Sequence, residues 1–404
     1  MPFEWFVAIR YLREGRAQSA LILSAVSVGV AVIVFLSALI GGLQKSLIRQ
    51  TVGSQAHIVV KPQEEVPRAL GGGDGAAITR VVEKPSQRLK SIDQWKTVLS
   101  DVEGMSGVTC ASPTVVGPAF AVRGDSERPI TVRGIDPDRF RCVVDVPSTI
   151  REGTYQVGGG LVVIGQELAK NLGLGVGDKL RVTTQDGRAT VLVVAGVFDL
   201  GNKEVNEKWA FVALREAQSL FALPGGATAI ELKVDRVFDA EAVSVAVADR
   251  TGLQADSWMK SNAQLLAGLQ AQESSKSMIE FFVVVAVALG IASVLIVSVV
   301  QKSKEIGILR AVGTRTKSVG RIFLVQGGLL GLVGSVFGCA LGALLCSFFE
   351  GVARNADGSP RFPVDLSFEL LGGATALAVG IGLLAAALPA RRAAKLDPAT
   401  AIRG

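Results

Sequence analysis

Residues 17–43 read AQSALILSAVSVGVAVIVFLSALIGGL, an uncharged run that lies between Arg16 and Lys45. An α-helix needs roughly 20 apolar residues to cross the hydrocarbon core of a bilayer. The run is longer than the roughly 7–15 apolar residues of a cleavable signal peptide, which favours a permanent membrane anchor. Three further runs are long enough to span a membrane: residues 278–300, 322–349 and 370–388. The sequence therefore predicts a membrane protein with four transmembrane α-helices.

The stretch between the first two spans has the composition of a water-soluble domain. The whole chain of 404 residues is 49% hydrophobic and only 19% charged, and its apolar residues gather in the four runs. Patterns of short helices and strands alternate between the first two spans, so we predict a large α+β extracytoplasmic domain inserted between transmembrane helices 1 and 2. The predicted boundaries are an interfacial helix at 1–16, spans at 17–43, 278–300, 322–349 and 370–388, the inserted domain at 44–277, a cytoplasmic loop at 301–321, a short outer loop at 350–369 and a cytoplasmic tail at 389–404.

Basic residues predict the orientation of the spans, because Lys and Arg are enriched in cytoplasmic loops. They precede the first span, fill the loop between the second and third spans, and follow the fourth: Arg10, Arg13, Arg16; Lys302, Lys304, Arg310, Arg315, Lys317, Arg321; Arg391, Arg392, Lys395, Arg403. The loop of residues 350–369 is nearly balanced in charge. Both termini are thus predicted to be cytoplasmic and the inserted domain to face outward. Because topology accounts for these charges, the net charge of +6 does not indicate nucleic-acid binding.

Apolar residues at helical spacing continue just beyond the first span and just before the second. They are Leu43, Leu47 and Ile48, and then Leu265, Leu266 and Leu269. Both spans are therefore predicted to continue as amphipathic stalk helices, and the alternative is ordinary helices packed onto the domain. Within the domain, helices are predicted over 91–102, 166–172, 214–222 and 239–249, and strands over 109–122, 129–135, 179–184, 189–197, 209–212 and 229–234.

Residue types that carry catalysis or hold metals are sparse. His57 is the single histidine and lies in a strand-like run, so we interpret it as structural. No cysteine spacing resembles a metal site, and a disulfide between Cys110 and Cys142 stays open, since it requires an oxidising compartment and a proximity that spacing does not show. The sequence contains no G-x-x-x-x-G-K-[ST] and hence no Walker A motif. The Gly-rich segment 64–90 is interpreted as a loop or insertion without an assigned role.

The loop after the second span contains the most informative pattern. Residues 301–313 read QKSKEIGILRAVG, in which Ile306, Leu309 and Arg310 fall on one helical face and Gly313 is suited to end the helix. A short amphipathic helix that projects into the cytoplasm is suited to dock into a groove of a soluble partner. The alternative is a basic loop that only sets topology, but such a loop does not need the apolar Ile-Gly-Ile-Leu core.

This pattern resembles a known family. The motif KSKEIGILRAVG at 302–313, together with LPARRAAKLDPATAIR at 388–403, is similar to the permeases of mechanotransmission ABC transporters, which include the LolC/LolE, MacB and FtsX types. The segments TVRGIDP at 131–137, LGVGDKL at 174–180 and AFVALREAQ at 210–218 are most similar to the lipoprotein-releasing LolC/LolE type. The resemblance covers nearly the whole chain, apart from the Gly-rich segment.

The resemblance implies a permease subunit of a bacterial inner membrane, with its inserted domain in the periplasm and with no catalytic, cofactor-binding or metal-binding residues of its own. It implies an ATPase-coupling helix made of Lys304, Glu305, Ile306, Gly307, Leu309, Arg310 and Ala311. It further implies a separate ABC ATPase dimer that binds ATP and Mg²⁺, a second permease copy or paralogue, a periplasmic carrier or adaptor, and a lipoprotein or lipid-like cargo beside membrane lipid. The nearly apolar spans suit acyl chains better than an aqueous solute path. The alternatives are an exporter for a glycolipid or small toxic molecule, and a non-transporting FtsX-like regulator of cell-wall hydrolases.

Overall fold

A computed structural model of the chain describes residues 3–63, 89–352 and 364–395. The chain divides into two compact units: Met1–Ser46 with Ala267–Gly404, here called the helical unit, and Leu47–Leu266, here called the inserted unit. The Gly-rich segment predicted at 64–90 lies outside the described residues except for its last two, and so do the last nine residues of the chain.

The elements follow in chain order. The α-helices are α1 (Phe3–Glu14), α2 (Arg16–Gly53), α3 (Trp95–Glu103), α4 (Pro137–Val143), α5 (Gln166–Leu172), α6 (Lys203–Lys208), α7 (Leu214–Leu220), α8 (Ala240–Thr251), α9 (Trp258–Ser261), α10 (Ala263–Gln301), α11 (Ser303–Ala311), α12 (Thr316–Val352) and α13 (Phe368–Ala394). The strands are β1 (Ile58–Lys61), β2 (Val108–Arg123), β3 (Ser126–Ile135), β4 (Ile150–Gly153), β5 (Leu161–Gly165), β6 (Lys179–Thr184), β7 (Ala189–Phe198), β8 (Trp209–Ala213), β9 (Ala229–Val234) and β10 (Gln254–Ser257).

Four helices of the described residues, α2, α10, α12 and α13, are long and apolar enough to cross a membrane. The first contains the whole predicted run of 17–43, and α10 contains the run of 278–300. Both continue beyond those runs, α2 as far as Gly53 and α10 from Ala263, as the stalk prediction requires. Their far ends pack through Ile48, Val52 and Leu266 onto a core of the inserted unit, so the alternative of packed helices holds for those residues.

Glycines on α12 allow α2 to approach closely. A Cβ atom built on Gly338 would lie 2.6 Å from the Cβ of Val30, a separation that real side chains do not tolerate. Membrane helices associate through such small residues, because lipid tails provide no hydrophobic drive for apolar side chains to pair. The contacts repeat along the helix, with Gly334, Gly338 and Gly342 facing Val26, Val30 and Val34.

A second glycine face of α12 receives α13. A Cβ atom on Gly331 would lie 2.5 Å from the carbonyl oxygen of Ala378, and Gly327 approaches the backbone of Gly382. Since the spacing from Gly327 to Gly331 is that of a G-x-x-x-G motif, the two backbones can lie against each other. α12 is therefore packed on one side by α2 and on another by α13.

The strands of the inserted unit form one mixed sheet of ten. Its order is β10-β1-β9-β2-β3-β8-β5-β7-β4, and β6 pairs with both β2 and β7. The pairings of β2, β3, β8, β5, β7 and β6 consequently close a ring. Two of its pairs, β3 with β8 and β5 with β7, are parallel, and the others are antiparallel.

The largest core of the inserted unit comes from the strands of this ring. Val132, Ile164, Leu180 and Val182 are fully buried there, and Leu168 of α5 joins them. Burying a large aliphatic side chain stabilises a fold by about 1.5–3 kcal/mol. The alternating burial along β6 matches the period-two pattern on which its prediction rests.

A buried ion pair connects β3 and β9 at the motif of residues 131–137. Arg133 donates to Glu231, which also accepts from the Thr114 hydroxyl at 3.1 Å. The guanidinium carbon of Arg133 lies 4.0 Å from the ring centroid of Trp209, a cation–π geometry. Both charged side chains are at most 10% exposed, so this part of the motif is structural.

The structure answers the question of the Cys110–Cys142 disulfide and shifts the start of one predicted helix. Cys110 of β2 and Cys142 of α4 form a disulfide, which answers the question that their spacing left open. The helix predicted from residue 91 begins instead at Trp95. The Ser91 hydroxyl donates to the Ala227 carbonyl rather than capping a helix, and Gln94 adopts a left-handed conformation with φ of 49°.

Candidate functional site

The short helix α11 follows the membrane helix α10 after a single residue, Lys302. Backbone hydrogen bonds flank this joint, because the Lys302 N–H donates to the Ser298 carbonyl at 3.0 Å and the Ile306 N–H donates to the Lys302 carbonyl at 3.0 Å. The two helices are thus joined through a single residue whose neighbours are hydrogen-bonded on both sides.

Gly313 ends the helical segment, as predicted. Its φ of +102° lies in a region that residues with a Cβ rarely adopt. The Gly313 N–H donates to the Arg310 carbonyl at 3.0 Å, and the Thr314 N–H donates to the Leu309 carbonyl at 3.1 Å, so the last carbonyls of the helix are satisfied.

One face of α11 is buried against its own chain. Ile306 is 1% exposed and Gly307 is also buried. Ile306 belongs to a cluster with residues of α1, α10, α12 and α13: Val7, Ala8, Tyr11, Val299, Val319, Ile322, Phe323, Ala390 and Ala393. Arg310 Nη1 donates to the Ala394 carbonyl at 3.3 Å. We call this cluster the seat of α11.

The stripe of Ile306, Leu309 and Arg310 is buried or half-buried inside the helical unit. The reason is that this apolar stripe has an apolar surface of its own chain to cover. The docking of α11 into a partner stays a prediction. The opposite face is exposed and consists of Lys304, Glu305, Ile308, Ala311 and Val312.

Two exposed apolar residues on that face were missed by the sequence analysis. Ile308 is 56% exposed and Val312 is 84% exposed. Once Ile306 is assigned to the buried face, the roughly 100° turn per residue places Ile308 nearly opposite to it. The sequence shows that Ile306 and Ile308 lie on opposite faces of the helix, but it does not show which of the two faces the protein interior.

A charged network fixes α1 beside the start of α11. Lys302 Nζ donates to Glu14 at 2.6 Å and to Glu305 at 2.8 Å, and Arg10 donates to Glu14 at 2.8 Å. The hydrogen bond from Lys302, with that from Arg10, lowers the pKa of Glu14 below its usual range. Burial, aided by Glu305, raises the pKa of the neighbouring Tyr11 to about 12. Glu14 therefore stays ionised and Tyr11 stays protonated at neutral pH.

Glu280 is a third residue that the sequence did not single out. It lies in α10 within the predicted span of 278–300, where its carboxylate accepts a hydrogen bond from the Ser37 hydroxyl of α2 at 2.7 Å. A carboxylate within a membrane helix is costly unless it has polar partners. Ser37 therefore stabilises Glu280 at the contact between the two helices.

The remaining candidates are the residue types that could hold a metal and the single histidine. Within 3–63, 89–352 and 364–395, no group of three or more His, Cys, Asp and Glu side chains could hold a metal ion. His57 is 3% exposed and accepts a hydrogen bond from the Val234 N–H at 3.1 Å. Burial, with the nearby Lys233, lowers its pKa. This placement matches the structural interpretation of His57.

Apolar helices that can cross a membrane, together with a folded insert, define an integral membrane protein. Family models identify both parts: the model of the MacB-like periplasmic core domain matches residues 19–250, more than half of the chain, and the model of the FtsX-like permease C-terminal region matches residues 277–398. The chain belongs to this family of FtsX-like permeases with a MacB-like periplasmic core domain. It is accordingly a membrane protein with a periplasmic domain.

Relatives of similar length extend the comparison. The chain is 24% identical to the lipoprotein-releasing system transmembrane protein LolC of Neisseria meningitidis serogroup B, over 99% of both chains. It is also 24% identical to the LolE protein of Haemophilus influenzae, again over 99% of both chains. Among solved structures, the periplasmic region of MacB from Actinobacillus actinomycetemcomitans is similar, with 11% identity, coverage of 54% of this chain and 95% of that chain, and a TM-score of 0.34.

Proposed function

We propose that the chain is the permease subunit of an ABC transporter, in which a separate cytoplasmic ATPase dimer drives conformational change of the periplasmic domain. The proposed action is the release of lipoproteins from the inner membrane to a periplasmic carrier. The exposed face of α11, on a helix joined to α10 by one residue, is the observation that carries the proposal. Likeness to LolC and LolE proteins along the full chain supports the cargo class.

The orientation is part of the proposal. In this proposal both termini and α11 lie in the cytoplasm, which the enrichment of Lys and Arg at those flanks of the spans supports. ATP and Mg²⁺ are bound by the partner, because this sequence has no Walker A motif. The α11 helix then receives the movement of the ATPase, with Lys304, Glu305, Ile308 and Ala311 at the contact and Ile306, Gly307, Leu309 and Arg310 holding the helix in its seat.

In this proposal the movement passes between helices that are consecutive in the chain or hydrogen-bonded to each other. Closure of the ATPase dimer on ATP displaces α11, the joint at Lys302 passes this displacement to α10, and the charged network passes it to α1, which α2 follows in the chain after Gly15. Since α2 and α10 both continue into the inserted unit, movement reaches the periplasmic domain through two helices. Such transmission through rigid elements is a known form of allosteric switching.

The cargo is lipid-linked, in this proposal, because α10 presents an apolar surface. Phe281, Phe282 and Leu289 are each more than 60% exposed in the single chain. A second permease copy or paralogue and the acyl chains of a lipoprotein would cover this surface. A water-filled path for a polar solute would need polar lining instead.

Purification of the tagged full chain from native membranes tests the proposal, with bound proteins identified by mass spectrometry. We expect an ABC ATPase, a permease partner and a lipoprotein carrier. Recovery of a cell-wall hydrolase in place of a carrier would replace lipoprotein release with the regulatory alternative. Absence of any ATPase from a preparation that retains other partners would contradict the proposal as a whole.

A further inference from the structure

An open groove in the helical unit lies beside the junction of α1 and α2. It has a volume of about 680 Å³ and is lined by residues of α1, α2 and α12. The volume is in the range of roughly 300–1,000 Å³ that is typical of small-molecule sites. Most of the lining is aliphatic, from Ile9, Leu12, Ala20, Leu23, Leu329, Leu330 and Val333.

Two arginines stand at one end of the groove. Arg13 is in the last turn of α1 and Arg16 is the first residue of α2, and both side chains line the groove and are exposed. They are the last charges before the uncharged run of residues 17–43. In a bilayer they therefore mark the boundary between headgroups and hydrocarbon, with the aliphatic part of the groove on the hydrocarbon side.

The charge at this end of the groove is not neutralised within the described part of the chain. No Asp or Glu lines the groove, and neither Arg13 nor Arg16 has an ion-pair partner among the described residues. The neighbouring cations differ, because Arg10 and Lys302 both bind Glu14. Two free guanidiniums above an aliphatic groove are complementary to one phosphate attached to acyl chains.

We propose that this groove is a binding site for an anionic phospholipid, with the phosphate on Arg13 and Arg16 and an acyl chain along Leu12, Leu23 and Leu330. Guanidinium groups bind phosphate through paired hydrogen bonds, which an ammonium group cannot match. Basic pockets between membrane helices are recognised sites for anionic headgroups. The proposal goes beyond lipoprotein release and requires only that the helical unit lies in a bilayer.

Native mass spectrometry of the full chain in detergent tests the site, with phosphatidylglycerol and phosphatidylcholine as probes. We expect one tightly retained phosphatidylglycerol per chain and weaker binding of phosphatidylcholine. The double variant Arg13→Gln/Arg16→Gln should lower the phosphatidylglycerol affinity about thirtyfold. It removes two basic side chains, each of which contributes to the free energy of binding an anionic headgroup. Arg13→Lys/Arg16→Lys should restore part of it, which also shows that the substituted junction folds.

Two controls distinguish specific binding in the groove from nonspecific electrostatic attraction of anionic lipid to basic residues. Arg315 and Lys317 are exposed cations of the same unit that do not line the groove, so Arg315→Gln/Lys317→Gln should leave the affinity unchanged within about twofold. Ala20→Phe keeps all charges and fills the groove, so it should reduce the binding of both lipids.

Several outcomes would overturn the site. Equal loss of affinity in the Arg315 and Lys317 control would show attraction without a site. Competition by glycerol phosphate as strong as that by phosphatidylglycerol would show that the groove contributes nothing. Undiminished lipid binding in Ala20→Phe, with a changed number of chains per particle, would assign the groove to a second copy of the chain.

Discussion

Lys302, the single residue between α10 and α11, donates a hydrogen bond to Glu14, the last residue of α1, at 2.6 Å. It donates a second to Glu305 of α11 at 2.8 Å. One ammonium group consequently joins three helices at the base of the second membrane helix. The apolar seat beneath α11 and this charged network hold the same elements, but they contribute very differently to stability.

Replacing Lys302 with Gln should loosen α1 without unfolding the protein. The ion pairs are partly exposed, and exposed pairs contribute little, so we expect the unfolding temperature to fall by less than about 4 °C. Hydrogen exchange of the α1 amides should quicken about fivefold, whereas Lys302→Arg should retain the slow exchange of the native protein. Exchange in Lys302→Gln that equals the native rate would show that the network does not hold α1.

The stabilisation that the ion pair of Lys302 and Glu14 provides should depend on pH through the pKa of Glu14. Its pKa is lowered in the folded state, so the contribution of the ion pair is present above the ordinary carboxyl pKa and is lost as the pH falls through the lowered value. The difference between Lys302→Gln and the native protein should therefore vanish in strongly acidic solution.

The glycine contact between α12 and α13 predicts a sharp contrast between two substitutions. Gly331→Leu places a side chain where a Cβ alone would lie 2.5 Å from the Ala378 carbonyl oxygen, and overpacking of this kind costs about 1–3 kcal/mol. Gly380 in α13 has no atom within 4 Å of the position that a Cβ would take, so Gly380→Leu is the matched control. Thermal unfolding in detergent should separate the two variants, and equal unfolding temperatures would argue against the helix packing.

The disulfide between Cys110 and Cys142 tests the location of the inserted unit. Disulfides persist in the periplasm and are rare in the cytosol. Alkylation of the protein under denaturing conditions should label only Cys339 and Cys346 until a reductant is added. Labelling of all four cysteines in protein taken directly from cells would contradict a periplasmic domain. Replacing both bonded cysteines with Ala should cost about 3–4 kcal/mol for a closed loop of this length.

His57 predicts a loss of stability in mildly acidic solution. Burial lowers its pKa in the folded state, so the unfolded chain binds more protons as the pH falls below the ordinary histidine value of about 6.5. Stability is thus present above that value and is lost as the pH falls toward the lowered pKa. Tryptophan fluorescence can follow unfolding of the full chain between about pH 7 and pH 5, with Trp209 and Trp258 as probes in the inserted unit.

The control for this prediction is His57→Gln. Since His57 is the only histidine of the chain, the variant should show a nearly flat stability in the same pH range, whatever its absolute stability. A slope that persists in the variant would assign the pH dependence to other groups. Asp256 titrates well outside this range, because its pKa is lowered to about 2 in its contacts with Lys260 and Lys61, which outweigh the opposing effect of burial.

The sequence predicted the apolar helices and the end of α11 well, because each depends on local signals. Uninterrupted apolar runs demand helices in a bilayer, and Gly313 provides a left-handed stop within the motif itself. The sequence did not show which face of α11 its own chain buries, since only the tertiary structure shows that residues of α1, α12 and α13 pack against Ile306. The same limit applies to Ser91, whose hydroxyl bonds to Ala227, a residue far away in the chain.

Pairings over long distances were also beyond the sequence. Nothing in the spacing of Cys110 and Cys142 shows that α4 lies beside β2, and the carboxylate of Glu280 finds Ser37 only when α2 and α10 meet. The hairpin of β6 and β7 is a local pairing, whereas the ring of strands closes only through the pairing of β6 with β2, a strand far away in the chain. Local sequence patterns thus predict the helices and strands, whereas tertiary packing determines which of their faces stay exposed.

Ile308 provides the most direct measurement of the central claim, that an ATPase drives this permease through the exposed face of α11. Because Ile308 is 56% exposed and outside the seat, Ile308→Asp should fold normally, whereas Leu309→Asp would also disturb the half-buried side of the helix. In a reconstituted complex of the full chain with its ATPase, an unpaired charge at the contact should weaken assembly about thirtyfold and lower ATP hydrolysis accordingly, while Ile308→Val should retain both. Native assembly and ATP hydrolysis in Ile308→Asp would contradict the account.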